Sequence, residues 1–260
     1  MIFSRRVIPF AGITIFVCGF NAPHRFDWNK GQGQPRGLRE YPVPLVREEQ
    51  SVRVGGAEEV WRLKWKSAPK PFCDDETLAP TCPCDGFAPG ERGDLDLIRL
   101  RRGVEIDRFN LTALFKGPDV GSRTEDEPAV QRVAQVIHLG DYHHDGLATE
   151  FFLQTDAKPC SKHYGVVVGI TNDNPRLHAF ATVGYPDIPL FMRIDEWEKL
   201  RTATGVVNTV DWNCGDHGMD AQIEFELHWS PKGIDGFSRT FACLADGRRG
   251  KLLAIARDPL

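Results

Sequence analysis

Apolar and polar residues alternate with period two along much of the chain. In "EVWRLKWKS" (59–67), Trp61, Leu63 and Trp65 interleave with Arg62, Lys64 and Lys66; in "QIEFELHW" (222–229), Ile223, Phe225, Leu227 and Trp229 fall on one side of an extended backbone. Such alternation predicts half-buried strands. Further strands are expected at "DLDLIRLRR" (94–102), "EIDRFNLTALF" (105–115), the end of "VQRVAQVIHLG" (130–140) and "ATEFFLQT" (148–155). "YGVVVGIT" (164–171), "LHAFATVG" (177–184), "GFSRTFAC" (236–243) and "KLLAIA" (251–256) complete the set, bounded by Gly, Asn, Asp and Pro turns. Only "RIDEWEKLRTATG" (193–205) reads clearly as a helix, with Asp195 as cap, Trp197 and Leu200 on one face and Gly205 at its end. The expected fold is mainly β: antiparallel sheets in a sandwich or meander, one short helix near 195–203, and loops braced by disulfides.

The beginning of the chain follows a different pattern. "MIFSRRVIPFAGITIFVCGFNA" places Arg5 and Arg6 before an apolar run from Val7 to Phe20, the form of a secretory signal peptide over residues 1–22. That run is shorter than the ~20 apolar residues of a membrane span, and no later segment is long and apolar enough, so no span is expected after leader removal. Ser4, Arg5 and Arg6 resemble a twin-arginine export signal, with Ile8 and Pro9 departing from it, and "IFVC" resembles a lipoprotein cleavage box, with Val17 larger than that box wants. The predicted location is secreted or periplasmic. Residues 23–58, rich in Gly, Pro, Arg and Glu, read as loosely ordered with a short strand at 51–54. A small β-rich region with a Cys-rich loop is expected over 59–118, and the main β-rich domain over 129–260. The acidic stretch "GPDVGSRTEDEPA" joins them.

Loss of the leader removes Cys18 and leaves six cysteines: Cys73, Cys82, Cys84, Cys160, Cys214 and Cys243. In an oxidising compartment these allow up to three disulfides, in any of 15 pairings. Only Pro83 separates Cys82 from Cys84, so Cys73 is expected to close a local loop with one of them, and two of Cys160, Cys214 and Cys243 to pair. A zinc site at "CPC" plus Cys73 is the rival, and it lacks the paired CxxC knuckles of such sites. Net charge of −4 and a short basic run, "RLRRG" (99–103), give no reason to expect nucleic acid as a partner. Asn110-Leu111-Thr112 is formally a glycosylation acceptor.

Candidate chemistry gathers in "HLGDYHHDGLATEFF" (138–152). Asp141 and Asp145 flank a bend at Gly146, and Glu150 opens the next strand. Hard cations such as calcium take six to eight oxygen ligands, and alternating carboxylates around a glycine bend can converge on one point. The strand–acidic loop–strand order at 136–154 resembles one unit of the FG-GAP or VCBS repeat family. Asp141, Asp145 and Gly146 match its acidic positions and its bend, while His143 and Thr149 stand where that pattern carries oxygen ligands. The resemblance covers about 20 residues in one copy and implies a calcium loop. The candidate ligands are Asp141, His143, Asp145 and Glu150. The alternative is a zinc-dependent extracellular hydrolase drawing on His138, His143, His144 and a distant Asp216–His217 pair, although no HExxH spacing is present. No GxSxG elbow accompanies these residues. On this reading the chain is an exported, non-catalytic protein that binds an unidentified ligand or protein surface.

Overall fold

The computed structural model describes residues 45–75, 84, 89–115, 127–158, 162–211, 213–215, 219–230 and 233–257. The leader, Cys18, Cys82, Cys160 and the Asp216–His217 pair lie outside them. The described chain is mainly β, with four antiparallel sheets and one short α-helix.

The first sheet contains β1 (Val46–Val54), β2 (Ala57–Trp65), β5 (Leu95–Arg101) and β6 (Val104–Asn110), ordered β1-β2-β5-β6. A small sheet pairs β4 (Gly90–Arg92) with both β3 (Lys70–Phe72) and β7 (Ala129–Gln131). In the third sheet, β9 (Lys162–Gly169) pairs with β8 (Glu150–Lys158), β10 (His178–Ala179) and β11 (Met192–Arg193). The fourth is a meander of β12 (Val207–Val210), β13 (Ala221–Ser230), β14 (Gly233–Cys243) and β15 (Arg249–Arg257). Helix α1 spans Ile194–Thr202.

Two hydrophobic cores lie on opposite faces of the β8–β9 pair. Phe151, Leu153, Val166 and Val168 join Trp61, Leu63 and Trp65 of β2 and Leu95 and Leu97 of β5 in the first. Val167, with Phe152 against it, joins Trp197 and Leu200 of α1, Val207, Leu227 and Ile234 in the second. The near-continuous apolar run of β9 follows from burial on both sides, whereas β2 alternates because only one of its faces meets a core. Strands from both sides of the acidic connection at 117–129 thus share the first core. Close strand contact also explains Gly165 and Gly169: an added Cβ would lie 2.2 Å from the Leu153 carbonyl oxygen or 2.3 Å from that of Thr149.

Several local expectations change. The strand expected at 51–54 begins at Val46. Residues 136–139 form no strand; instead the Val136 and Ile137 amides donate to the Glu48 carboxylate at 2.6 and 3.1 Å. Leu111–Phe115 closes the expected 105–115 strand as a 3-10 turn, and the 177–184 strand shortens to His178–Ala179 plus isolated bridges. Helix α1 begins before Asp195, where Glu196 folds back to accept the Arg193 amide at 2.9 Å, and it stops at Thr202, ahead of Gly205. Asn110 donates its amide to Asp94 and Asp96, and Thr112 is buried, so the sequon side chains are engaged within the sheet.

Two disulfides join Cys73 to Cys84 and Cys214 to Cys243. The first is the local closure expected around the Cys-rich loop. The second ties the 213–215 turn to the end of β14. Such cross-links point to an oxidising compartment. Among the described residues, no helix is long and apolar enough to cross a membrane.

Candidate metal centre

The loop from Gly140 to Glu150 is closed at its base by backbone pairing. Gly140 and Glu150 exchange both hydrogen bonds, at 2.7 and 3.1 Å, as β8 begins. Within the loop the acidic side chains organise the backbone. Asp141 accepts the amides of Asp145 and Gly146, at 3.1 and 3.0 Å. Asp145 accepts those of Leu147 and of Asn172 in the turn after β9, at 2.9 and 2.6 Å, while the Asn172 side chain donates to the Asp145 carbonyl. These local acceptor turns are the ordinary behaviour of aspartate in tight loops. Gly146 sits at φ +87°, where a side chain would strain the bend.

The alternation of β8 decides where Glu150 points. Phe151 and Leu153 face the first core, so Glu150 shares the second-core face with Phe152. The result is a fully buried carboxyl (0% exposed) that accepts the Tyr142 amide at 2.7 Å, with the Thr149 hydroxyl 3.4 Å away. Burial first, then the neighbouring charges of Asp145 and Asp141, pushes its pKa up to about 8, against the opposing pull of the Tyr142 and His143 amides. Ligand atoms of Asp141, Asp145 and Glu150 all lie within 4.8 Å of one another.

His143 is not part of that group. Its ring packs 5.1 Å from Trp229 and 6.1 Å from Phe180, centroid to centroid, and burial lowers its pKa despite the acidic residues nearby. His144 is held at φ +61° by a 2.8 Å contact between its Nε2 and the Leu200 carbonyl, and His138 contacts the Gln135 carbonyl. Tyr142 links the loop to helix α1, donating to Glu198 at 2.9 Å and lying edge-on to Trp197. The loop is therefore clamped by α1 on one side and by aromatic rings from β13 and the 180 region on the other.

The position of Asn172 depends on the turn after β9, which a buried ionic network anchors. Arg99 donates to both carboxylate oxygens of Glu59 (2.8 and 3.0 Å) and to the Pro175 carbonyl (2.5 Å), and Asp107 accepts the Leu177 amide at 2.7 Å. Burial alone would raise the Glu59 pKa, but hydrogen bonds from Arg99 and Arg101 hold it below the ordinary carboxylate value. Glu59 does not stand out in the sequence, and Arg99 is visible there only as the start of the short basic run 99–103.

Comparison with family models, with curated proteins and with solved structures found no match. The chemistry of the site therefore stands on its own donor set. Three carboxylates and a nearby hydroxyl are all-oxygen donors, which suit a hard divalent cation rather than a zinc or copper ion drawn to imidazole or thiolate.

Proposed function

We propose that the chain is an exported, non-catalytic β-rich protein that binds a ligand, surface or partner, and that its 140–150 loop holds one calcium ion as a structural brace. One observation carries the calcium reading: a fully buried glutamate faces two aspartates, their ligand atoms within 4.8 Å of one another. Ionising all three at that separation is unfavourable, and a divalent cation offsets both the repulsion and the cost of burying the Glu150 charge. Each carboxylate oxygen already accepting an amide keeps a second lone pair for a cation. The likeness of the loop to one FG-GAP or VCBS unit agrees with this chemistry, with Glu150 supplying the last carboxylate from the strand rather than from the loop. Backbone carbonyls and water complete the six to eight ligands calcium takes. The two disulfides accord with export.

The non-catalytic reading draws support from the use of the loop's groups. Its aspartates tie backbone amides, and the His143 ring packs against the Trp229 and Phe180 rings. The test is thermal unfolding of the whole chain in chelator and in excess calcium. At calcium about 100-fold above Kd the fold gains about 2.7 kcal/mol, seen as a rise in melting temperature of roughly 5–10 °C. Asp145→Ala abolishes that rise. Equal melting temperatures with and without calcium in the parent protein refute the calcium loop.

A further inference from the structure

The turn that follows β9 grips the acidic loop at two places, Asp145 and the residue before Glu150. At the first, the Asn172 amide donates to the Asp145 carboxylate at 2.6 Å, and the Asn172 side chain donates to the Asp145 carbonyl at 3.0 Å. At the second, the Thr149 hydroxyl donates to the Ile170 carbonyl at 2.8 Å, and the Ile170 amide donates to the Thr149 carbonyl at 3.3 Å. The turn also closes on itself. The Thr171 amide donates to the Asn174 carbonyl and the Asn174 amide to the Thr171 hydroxyl, each at 3.0 Å. Asp145 is thus fixed from outside the loop, whereas the amides that hold Asp141 belong to the loop itself.

The turn in turn is fixed by the first sheet. Ile170 and Leu177, at its two ends, are buried in the first core. Between them, Arg99 of β5 donates to the Pro175 carbonyl at 2.5 Å. Asp107 of β6 accepts the Leu177 amide at 2.7 Å and pairs with Arg176 at 2.9 Å. Arg99 and Asp107 are both buried and lie 3.6 Å apart. The guanidinium is used on two sides: Nε and Nη2 take the Glu59 carboxylate, and Nη1 takes Pro175. Desolvation offsets much of the attraction in a buried ion pair, and apolar side chains of similar volume often serve a core as well. Stability of the sheet alone gives Arg99 and Asp107 no reason to bond the turn; placement of the turn does.

We propose that Arg99 is a positioning residue for the loop. It holds Pro175, the turn presents Asn172, and Asn172 keeps the Asp145 carboxylate within 4.8 Å of those of Asp141 and Glu150. Contiguous hydrogen-bonded networks of this kind let a substitution change a site several-fold without touching it. Lysine at position 99 would keep the charge beside Glu59 but lose the planar fork that reaches both partners. The consequence for ion affinity rests on the calcium reading above, while the placing of Asp145 needs no metal.

The test compares the whole chain with Arg99→Lys and with Asn172→Ala, the latter at an exposed position. The control is Cys214→Ser with Cys243→Ser, which weakens the fold at the end of the β13–β14 pair opposite Trp229. Calcium is titrated calorimetrically into each chelator-stripped protein at a temperature where all are folded. Arg99→Lys and Asn172→Ala should each weaken binding by about threefold or more, and the double serine variant should bind as the parent does. Amide hydrogen exchange in chelator gives a reading that needs no metal. The Leu147 and Asn172 amides both donate to the Asp145 carboxylate, so Arg99→Lys should speed exchange at both by about threefold or more. The Gly247 amide, bonded to Leu244 in the β14–β15 turn, should be unchanged. Unaltered calcium affinity in both variants, or unaltered exchange at Leu147 and Asn172 in Arg99→Lys, overturns the proposal. So does an equal loss of affinity in the double serine variant, which would make the effect one of general stability. If the parent binds no calcium, the calcium loop fails, and the exchange result alone decides whether Arg99 places Asp145.

Discussion

Replacing Glu150 with glutamine isolates the energetic consequence of burying an acid among acids. The side chain is fully buried, and its pKa rises from an ordinary 4.5 to about 8. The proton is therefore bound more tightly in the fold than in the unfolded chain. The resulting stability is complete below pH 4.5 and is lost as pH climbs through about 8. At 1.36 kcal/mol for each tenfold change in proton affinity, the ceiling is about 5 kcal/mol. Local relaxation and water entry reduce that, so a loss of about 2–4 kcal/mol between pH 5 and pH 9 is expected. Glutamine keeps an oxygen for the Tyr142 amide and has no proton to lose. In chelator, urea unfolding at pH 5, 7 and 9 should show the parent weakening steadily, while Glu150→Gln loses little. Calcium should restore the parent at pH 9, because the cation takes the place of the proton, and should leave the glutamine variant almost unaffected. The same decline in both proteins would refute the argument.

Three further outcomes follow from the packing. Glu59→Gln leaves Arg99 short of a buried partner and should cost about 3 kcal/mol. Because the Glu59 pKa is held below its ordinary value, the parent's advantage over the variant should be present at neutral pH and fade as pH falls through the depressed value, read by unfolding from pH 7 to pH 3. Cys214→Ser opens a loop of 29 residues and should lower stability by roughly 3–4 kcal/mol, with non-reducing peptide mapping of the parent recovering the Cys214–Cys243 fragment. Gly169→Ala drives a Cβ to 2.3 Å from the Thr149 carbonyl beside Glu150, so chemical denaturation should show a loss of about 2 kcal/mol or more and calcium stabilisation should shrink with it.

The strands that bury one face were legible because their environment repeats every second residue. β2 announces itself through Trp61, Leu63 and Trp65, whereas β13 alternates in sequence yet buries only Gln222 and Leu227. The three-residue strands β3, β4 and β7 could not be read that way, since neither their length nor the Pro and Cys around them sets a period. Residues 136–139 look like a strand by composition, yet their amides are taken by Glu48, 88 residues away from Val136. No local pattern encodes such a contact. At the loop, Asp141 and Asp145 were visible as a turn with convergent carboxylates. What the sequence hides is the depth of Glu150, which depends on β8 lying between two cores, and the capture of Asp145 by Asn172. The place of His143 among Phe180 and Trp229 likewise arises from tertiary packing, so a histidine that reads as a ligand in the sequence stands beside the acidic group in the fold.

The calcium loop is tested most directly by isothermal titration of calcium into chelator-stripped protein at pH 7, repeated in two buffers of different ionisation enthalpy. The account predicts one ion bound per chain, close to one proton released as Glu150 ionises, and no binding by Asp145→Ala. An absence of heat and of binding at millimolar calcium would contradict it, as would binding that Asp145→Ala leaves intact.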